Sequence, residues 1–382
     1  MKILSLFDGI SCAMVACERA GIEVDTYFAS EIDKYAIQIS QKNYPKIVQL
    51  GDVKEINRTD FLQISNEIGA TSKIDLLIGG SPCQDLSIAK KDRKGLDGER
   101  SGLFWEYVRI LNEVKPKYFI LENVNSMPKK DKEIISQTLC VEPVMINASL
   151  VSAQNRKRLF WVGRLDEFGT YKQVEIPQPK DRGILLKDIL EPKVDEKFYV
   201  KDKSNTIRTS GRGSGINDRH NWDTIRIGSI NSGGQGDRIY SPDGKSVNLS
   251  ANGGGRGAKT GLYAVAVAQR GRNIVNGKRK DVLGAKTKQR FEFGGEKSNT
   301  ITKVQKDSYV LQDTQIRKLT PIECERLMTL PDGFTEFGIN EKGEKVKISN
   351  TQRYKTLGNG FVCDVVSHII KCIDKDIKKH TM

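Results

Sequence analysis

Short apolar runs alternate with helix-like patterns over the first 165 residues, and this alternation most restricts the fold. Apolar runs of four to six residues indicate buried strands, whereas apolar residues recurring every three to four positions indicate helices. The predicted strands are residues 2–7, 24–29, 47–50, 74–78, 118–121 and 159–162, and the predicted helices are 12–20, 34–43, 103–114 and 129–140. This alternation is typical of an α/β protein with a doubly wound, Rossmann-like sheet and helices on both faces.

A change of composition near residue 180 predicts a second, β-rich region. From there to about residue 310 the chain is rich in Gly, Ser, Asn, Arg and Thr, and similar tetrapeptides begin at Ser204, Ser246 and Ser298. We interpret these as the starts of three strands in one domain. A disordered linker is the alternative, although apolar and aromatic residues keep returning between the glycines.

Helical character returns near the end of the chain. The segment 320–328 begins with a Thr cap followed by Pro321 at the first helical position, and 362–373 is an apolar helix. This last helix needs a core to pack on, and we expect the first domain to provide it.

Charge and cysteine content restrict the partners. The chain has 382 residues and a net charge of +14, from 62 Lys and Arg against 48 Asp and Glu. This balance favours a polyanionic partner such as nucleic acid, with a solvated basic surface as the alternative. Seven cysteines without a CxxC pair, and only three histidines, argue against disulfides and metal sites. We find no bilayer-length apolar run and no signal-peptide pattern, so we expect a cytoplasmic protein without membrane contact.

A cysteine follows the predicted strand 74–78, in the run Gly79, Gly80, Ser81, Pro82, Cys83, Gln84. Open α/β sheets bind ligands beyond the carboxyl ends of their strands, so the Cys83 thiol is a candidate nucleophile. A small buried apolar side chain is the alternative, and in general the more common one.

The ends of the first three strands carry groups suited to a nucleotide-like cofactor. After the first strand comes the loop Phe7, Asp8, Gly9, Ile10, Ser11, where glycine permits close approach to a ligand at a helix amino end. Glu31 follows the second strand and Asp52 the third. Acidic groups there suit ribose hydroxyls and an adenine amino group, with an ordinary turn and solvated acids as the alternative.

A carboxylate and two arginines complete the candidate chemistry. Glu122 follows the buried strand 118–121, where burial is costly for a carboxylate that is neither paired nor used. Such an acid can act as a proton donor. Arg156 and Arg158 lie two residues apart and share one face of a predicted strand, so both can point into a site or both can be solvated.

In this order, the motifs resemble those of the cytosine-C5 DNA methyltransferases. The residues that carry the resemblance, which runs from residue 3 to about 370, are Phe7 to Ser11, Glu31, Asp52, Pro82 to Gln84, Glu122 to Val124, Gln154, Arg156, Arg158, Gly358 and Asn359. The resemblance implies the class I S-adenosylmethionine-dependent methyltransferase fold with an inserted, smaller target-recognition domain. Residues 1–180, completed by 349–382, would form the catalytic domain, and 181–348 the recognition domain.

The resemblance also implies roles for the candidate residues. Cys83 would add to C6 of a flipped cytosine, Glu122 would contact N3 and the amino group, Arg158 would hold O2, and Arg156 would position Glu122. S-adenosyl-L-methionine, converted to S-adenosyl-L-homocysteine, would contact Phe7, Asp8, Gly9, Ile10, Ser11, Glu31, Ile32, Asp52, Val53, Pro82, Leu103 and Asn359.

The implied partner is double-stranded DNA. The basic segment 85–100 is similar to the family's loop that closes over DNA, and the implied DNA contacts are Gln84, Ser87, Lys91, Arg93, Gln235, Arg238, Tyr240, Ser250 and Gly255. The glycine-rich stretches between 233 and 261 are similar to the recognition loops of enzymes that methylate GCGC, so we expect GCGC, GCNGC or another GC-centred site. We expect a monomer, with a cognate restriction endonuclease as a functional partner.

Some residues depart from the family pattern, and two related functions stay open. Ser11 replaces Gly or Ala, Ile32 replaces an aromatic residue, Asn248 replaces Thr, and Gly360 with Phe361 replace Ser and Val. The alternatives are a transfer-RNA cytosine-C5 methyltransferase and an inactive DNA-binding protein of this fold. A nucleotide-dependent oxidoreductase would need GxGxxG after the first strand, and an amine methyltransferase an Asp-Pro-Pro-Tyr loop; the sequence has neither at these positions.

Overall fold

The structure is a computed structural model that describes residues 1–57, 73–81, 103–196 and 319–381. Between residues 226 and 318 it also describes the backbone of eight short strands. The account below is confined to these parts of the chain.

The first part of the chain alternates strands and helices, as predicted. Its strands are β1 (Lys2–Leu6), β2 (Thr26–Ser30), β3 (Val48–Gln49), β4 (Leu76–Gly80), β5 (Tyr118–Val124), β6 (Pro143–Asn147), β7 (Lys157–Leu165) and β8 (Tyr171–Gln173). Its helices are α1 (Cys12–Ala20), α2 (Lys34–Asn43), α3 (Leu103–Val114) and α4 (Lys129–Leu139), with 3-10 turns at Ala148–Leu150 and Leu186–Ile189. The bounds of α1, α2 and α3 are those predicted from apolar spacing.

The later part contains short antiparallel strands and three helices, the first of which precedes the last two strands. The strands are β9 (Arg226–Ser229), β10 (Arg238–Tyr240), β11 (Val265–Arg272), β12 (Ile274–Val275), β13 (Lys278–Arg279), β14 (Lys288–Phe293), β15 (Tyr309–Gln312), β16 (Gln315–Lys318), β17 (Phe337–Ile339) and β18 (Lys345–Lys347). The helices are α5 (Pro321–Leu327), α6 (Asn350–Asn359) and α7 (Cys363–Thr381). Strands β11, β14, β15 and β16 form one four-stranded sheet.

Strands β1 to β8 form a single mixed sheet, which confirms the predicted α/β class. Its order is β3-β2-β1-β4-β5-β7-β6, with β8 paired to β7. Strands β1 to β5 are parallel, and β7 runs antiparallel to β5. Because β2 and β4 flank β1 on opposite sides, the winding reverses at β1, and a ligand crevice is expected at the carboxyl ends of β1 and β4.

Each face of the sheet has its own apolar cluster. Ile3 of β1 faces the cluster that includes α1, α2, α5, α6 and α7, whereas Leu4 and Leu6 face the cluster built with α3 and α4. This is the alternation expected of side chains along a strand buried on both faces.

The last helix packs on the first part of the chain, as predicted. Helix α7 contributes Val366, Ile369 and Ile373 to the same cluster as α1, and the Tyr118 hydroxyl donates to Asp376 at 2.9 Å. Arg19 at the end of α1 pairs with Asp364 at the start of α7. No helix in the ranges that the structure describes is both long and apolar enough to cross a membrane.

Strands β4 and β5 end later in the sequence than predicted, which places residues of two motifs inside strands. Strand β4 runs to Gly80 and β5 to Val124, with Gly79 opposite Leu121 and Gly80 opposite Glu122. Gly80 and Glu122 therefore lie within paired strands, not in the loops after them. Gly79 and Gly80 also lack the positive φ values that glycine adopts in many tight turns.

Parts of the predicted recognition domain belong to the core around the sheet. Leu186, Ile189, Leu319 and Phe334 lie in the same apolar cluster as Ile3 of β1. The division of the chain at residues 180 and 349 remains a prediction.

Candidate functional site

The carboxyl ends of β1 to β4 bring the predicted cofactor residues to one edge of the sheet. The loop after β1 departs from ordinary backbone at Phe7, Gly9 and Ser11, which have φ values of 55°, 63° and 58°. The Gly9 N–H donates to Glu31 Oε2 at 2.8 Å. Glu31 Oε1 accepts from the N–H groups of Ile32 and Asp33, both at 2.8 Å. Glu31 thus joins the first two strand ends.

The Asp8 side chain lies beneath this loop and faces the interior. Its Oδ1 accepts from the Tyr27 hydroxyl at 2.6 Å, and its Oδ2 accepts from the Ser11 hydroxyl at 2.5 Å. Burial raises the pKa of Asp8, while the hydrogen bonds from Ser11 and Tyr27 act in the opposite direction. The structure therefore gives the Asp8 carboxylate an internal role in the loop.

The remaining cofactor candidates differ in exposure. Ile32 is 73% exposed beside Glu31, whereas Val53 and Ile10 are buried and Leu103 is half-buried at the start of α3. Asp52 follows β3, and its Oδ1 accepts from the Lys54 N–H at 3.0 Å. Asn359 is the last residue of α6. Acidic acceptors next to an exposed apolar side chain suit a ligand with hydroxyl groups and an apolar ring.

A second site, which we call the carboxylate–arginine pocket, lies beside the ends of β4 and β5. Arg158 Nε contacts Glu122 Oε1 at 2.8 Å, with both side chains largely buried. The pocket is lined by Glu122, Ile146, Ala148, Arg156, Arg158, Phe160, Phe361, Val362 and Val365. A charged pair on an apolar floor can bind a small planar polar ligand.

The two arginines make different contacts. Arg158 pairs with Glu122, and the expected role of Arg156 in positioning Glu122 stays a prediction. The buried guanidinium of Arg156 donates to the Gly360 carbonyl at 2.9 Å and to the Gly358 carbonyl at 3.4 Å. Arg156 therefore ties the start of β7 to the junction between α6 and α7.

Gly80 leaves the space that the pocket needs. A Cβ atom at Gly80 would lie 2.8 Å from Glu122 Oε2 and 3.0 Å from the Phe361 ring. Next to it, Asn123 Nδ2 donates to Ser81 Oγ at 3.2 Å and so joins the ends of β4 and β5.

Three contributors were not predicted from the sequence. Tyr27 holds Asp8, and Asn147 Oδ1 accepts from the Arg156 N–H at 3.0 Å. Phe361 was noted only as a departure from the family pattern, yet it lines the pocket. Asn147 is the one polar residue of the apolar strand β6, which could have identified it, whereas Tyr27 lies in β2 between Thr26 and Phe28 and gives no such signal.

Several predicted residues lie outside the described part of the chain. These are Pro82, Cys83, Gln84, Ser87, Lys91, Arg93, Gln235, Ser250 and Gly255, and for Arg238 and Tyr240 only the backbone of β10 is described. Within the ranges that are described, no group of three metal-binding side chains occurs.

Fold and site together define an α/β enzyme with a switch-point crevice beside a carboxylate–arginine pocket. A family model described as C-5 cytosine-specific DNA methylase matches residues 1–375, and the chain belongs to this family. The protein is therefore a DNA cytosine-C5 methyltransferase, as the motifs predicted.

Curated relatives agree with this assignment, and a solved structure agrees with the fold. Orphan methyltransferase M.SPRI of Bacillus phage SPR is 28% identical, and the match covers 97% of each chain. Type II methyltransferase M.HhaI of Haemophilus parahaemolyticus is 27% identical over 97% of this chain and 93% of that protein. The structure of Entamoeba histolytica methyltransferase EhMeth shares the fold, with a TM-score of 0.58, 15% identity and coverage of 99% of this chain and 98% of that chain.

Proposed function

We propose that this protein transfers a methyl group from S-adenosyl-L-methionine to C5 of a cytosine flipped out of duplex DNA, through a covalent bond to Cys83. The observation that carries the proposal is the pairing of Glu122 with Arg158 in a pocket beside the ends of β4 and β5. Cys83 stands two residues beyond Ser81, the residue that follows β4 in the sequence.

The crevice residues fit the proposed cofactor. When bound, S-adenosylmethionine supplies an electrophilic methyl group on a sulfonium. The Glu31 carboxylate can accept about four hydrogen bonds, and three come from main-chain N–H groups, so it can also accept from a ribose hydroxyl. Asp52 is suited to an adenine amino group, and the exposed Ile32 provides an apolar surface for the adenine ring.

The pocket residues suit the activation of cytosine. C5 is a poor nucleophile, so the Cys83 thiolate forms a bond to C6, and the electrons of the C5–C6 double bond become available at C5. Glu122 holds the N3 and amino edge and offsets the negative charge that develops in the ring. After C5 has taken the methyl group, a base removes the C5 proton, the double bond re-forms and the Cys83–C6 bond breaks.

Arg158 has two functions in this proposal. In the structure its Nε forms an ion pair with Glu122, and one terminal nitrogen donates to the Lys157 carbonyl at 2.9 Å. Its guanidinium has further N–H groups that can hold the cytosine O2 while the carboxylate stays in place. The base must leave the duplex to reach this pocket, which costs a few kcal/mol.

In this proposal, the β-rich region determines which DNA sequence the protein recognises. We propose a GC-centred site, GCGC or GCNGC, with Gln235 and Arg238 among the base-contacting side chains, because Arg pairs well with guanine O6 and N7. M.SPRI is named an orphan methyltransferase and M.HhaI a type II methyltransferase, so this chain can act alone or beside a restriction endonuclease.

Methyl transfer to DNA tests the reaction directly. The protein is incubated with tritiated S-adenosylmethionine and GC-containing duplexes or transfer RNA, and the DNA is then sequenced after bisulfite treatment. We expect tritium in DNA and protected cytosines within one GC-centred site. Label in transfer RNA alone would replace DNA with RNA as the substrate, and no label in either would refute the reaction.

A covalent trap tests the nucleophile. Wild type should form a stable complex with 5-fluorocytosine DNA in the presence of S-adenosylmethionine, because the C5 fluorine cannot leave as a proton does. Cys83→Ser should form none, whereas Cys140→Ser, a change at an exposed cysteine, should react like wild type. A covalent complex with Cys83→Ser would show that another residue attacks C6.

A further inference from the structure

A chain of buried hydrogen bonds, which we call the hydroxyl chain, runs beneath the loop after β1. The Tyr27 hydroxyl of β2 and the Ser11 hydroxyl contact the two oxygens of Asp8 at 2.6 and 2.5 Å. Ser40 Oγ of α2 lies 2.6 Å from Ser11 Oγ, and Gln49 Nε2 of β3 lies 3.5 Å from Ser40 Oγ. Three neighbouring elements thus converge on one loop.

The proton positions in the hydroxyl chain follow from the chemistry of its members. An ionised Asp8 can only accept, so Tyr27 and Ser11 donate to it. Ser11 has one proton and has used it on Asp8, so its oxygen accepts from Ser40. Ser40 in turn can accept from the Gln49 amide. Each hydroxyl then donates its proton to one defined acceptor. Loss of one donor therefore leaves a buried acceptor with one hydrogen bond fewer.

The hydroxyl chain acts on the backbone that would face the cofactor. The Asp8 N–H donates to the Ser30 carbonyl at 3.1 Å, and the Asp8 carbonyl accepts from the Ser11 N–H at 3.3 Å. Between them, Gly9 donates to Glu31. The side chains hold the loop from below, and Glu31 holds it from the adjoining strand.

We propose that Tyr27 and Ser40 are positioning residues for cofactor binding, which act through Asp8 and Ser11 on the loop formed by residues 7–11. The inference rests on the proposed function, because the loop is taken to bind S-adenosylmethionine. It differs from the sequence prediction for Asp8: the carboxylate shapes the loop from inside instead of touching the cofactor.

The electrostatics of the Asp8 site provide a specific readout. Burial raises the pKa of Asp8, the hydroxyls of Ser11 and Tyr27 lower it, and the charge of Glu31 raises it. The other titratable group at this site is Cys17 of α1, which interacts with Tyr27 and whose pKa burial raises to about 12. Removal of the Tyr27 hydroxyl should therefore raise the pKa of Asp8 further.

Tyr27→Phe and Ser40→Ala in the full-length protein test the proposal. Tyr171→Phe is the matched control, since its hydroxyl donates to the Pro116 carbonyl at 3.0 Å near the opposite end of the sheet. Titration calorimetry with S-adenosyl-L-homocysteine should show binding weakened about tenfold by Tyr27→Phe and about threefold by Ser40→Ala. Tyr171→Phe should bind like wild type.

Kinetics separate positioning from general damage. For Tyr27→Phe we expect a higher KM for S-adenosylmethionine with kcat nearly unchanged. In the pH profile of kcat/KM, the acidic limb should move to higher pH. Thermal melts identify variants that fail to fold. If Tyr27→Phe does not fold, the affinity of Ser40→Ala, the smaller change, tests the proposal. Wild-type affinity in folded Tyr27→Phe and Ser40→Ala would overturn the inference. Failure of the wild type to bind S-adenosylhomocysteine would instead remove the proposed function, and the inference with it.

Discussion

Ser11 shows how one residue can replace the glycine or alanine that is usual at its position. Its left-handed conformation, φ 58° and ψ 40°, costs a residue with a Cβ about 1–2 kcal/mol. Its hydroxyl donates to the buried Asp8, and a hydrogen bond to a charged group stabilises by about 1.5–3 kcal/mol. The hydroxyl therefore offsets the backbone strain, which accounts for Asp8 and Ser11 occurring together.

Gly80→Ala should inactivate the enzyme more than it destabilises the fold. The new Cβ would meet Glu122 Oε2 at 2.8 Å and the Phe361 ring at 3.0 Å, so both pocket walls must shift. We expect kcat to fall about 100-fold, since a misplacement of about 1 Å can cost that much. Steady-state methylation and a thermal melt measure the two effects.

Gly79→Ala is the comparison for this change. Its Cβ would meet the Leu6 carbonyl at 3.0 Å and Tyr107 at 3.1 Å, away from the pocket. It should lower the melting temperature at least as much as Gly80→Ala, with a smaller loss of kcat. Equal losses of kcat in the two variants would show that Gly80 has no special relation to Glu122.

At the residue scale, candidate site residues could be predicted from the sequence more readily than the residues that hydrogen-bond to them. Glu122 and Arg158 were predicted to share a site, and the structure brings them to 2.8 Å. The interior orientation of Asp8 could not be predicted, because it depends on Tyr27, 19 positions away in the sequence. Partners of this kind become neighbours only when parallel strands pair.

Helix α2 is held at its amino end by Asp33, which gives a prediction with a defined pH dependence. The Asp33 Oδ1 accepts from the N–H groups of Tyr35 and Ala36 at 3.0 and 3.2 Å, and Lys355 pairs with the same carboxylate. Burial alone would raise the pKa of Asp33, but Lys355 and these N–H groups outweigh it, so the pKa is lowered. Asp33→Ala should cost about 1 kcal/mol near neutral pH.

The sign of the pH effect follows from the lowered pKa. A carboxyl group with a lower pKa in the folded state stabilises fully above its unfolded pKa of about 3.9, and loses this effect as the pH falls through the folded value. The difference in unfolding free energy between wild type and Asp33→Ala should therefore shrink below about pH 4. Ser349→Ala, at the neutral cap of α6, should show no such change; a constant difference for Asp33→Ala would contradict the charged cap.

Helices α5 and α6 are joined by a buried ion pair. Arg353 contacts Glu325 at 2.8 Å, with side-chain exposures of 8% and 0%. Glu325 also accepts from the N–H groups of Gly333 and Thr335 at 2.7 and 2.8 Å. The network fixes the loop after α5 against α6.

Arg353→Met should be strongly destabilising, because it leaves a buried carboxylate without its positive partner. Loss of one member of a buried pair typically costs about 3–5 kcal/mol. Urea unfolding measures the effect. Lys378→Met, which removes an exposed pair with Asp374 on α7, should change stability by less than about 0.5 kcal/mol. Similar values for both variants would show that burial of the pair has no energetic consequence.

At the scale of elements, helices with a clear apolar stripe were predicted, and so was the more polar α4, whereas α6 was not. The bounds of α1, α2 and α3 matched, whereas α6 was missed because the segment 350–359 is mostly polar and is held by the buried Arg353 and Tyr354. Strands β4 and β5 were predicted to end too early, since glycines and a carboxylate resemble a strand end in the sequence alone.

For the whole molecule, the net charge of +14 predicts that DNA binding depends strongly on salt. Each phosphate neutralised by Lys or Arg releases counterions, so the logarithm of the binding constant should fall linearly with the logarithm of salt concentration. For about six phosphate contacts, affinity should fall roughly a thousandfold between 50 and 200 mM salt. Fluorescence anisotropy with a labelled duplex measures the slope, and a flat response would show that phosphates contribute little.

The fold class was predictable because periodicity is local, whereas the topology of the sheet was not. The alternation of strands and helices identified a doubly wound sheet, and the structure confirms it. The antiparallel β7 between β5 and β6 depends on long-range pairing, and it brings Arg158 opposite Val124 at the edge that carries Glu122. The sequence offers no periodic signal for that arrangement.

The contribution of α7 to the pocket has a consequence for how the protein is made. Glu122 is synthesised in the first third of the chain, but the pocket wall also needs Phe361, Val362 and Val365. Domains fold progressively from the amino terminus during translation, and unpaired apolar faces invite aggregation. The face of the nascent sheet that α1 and α7 share therefore stays incompletely covered until α7 has been synthesised. Translation products that stop before residue 361 would lack this wall of the pocket.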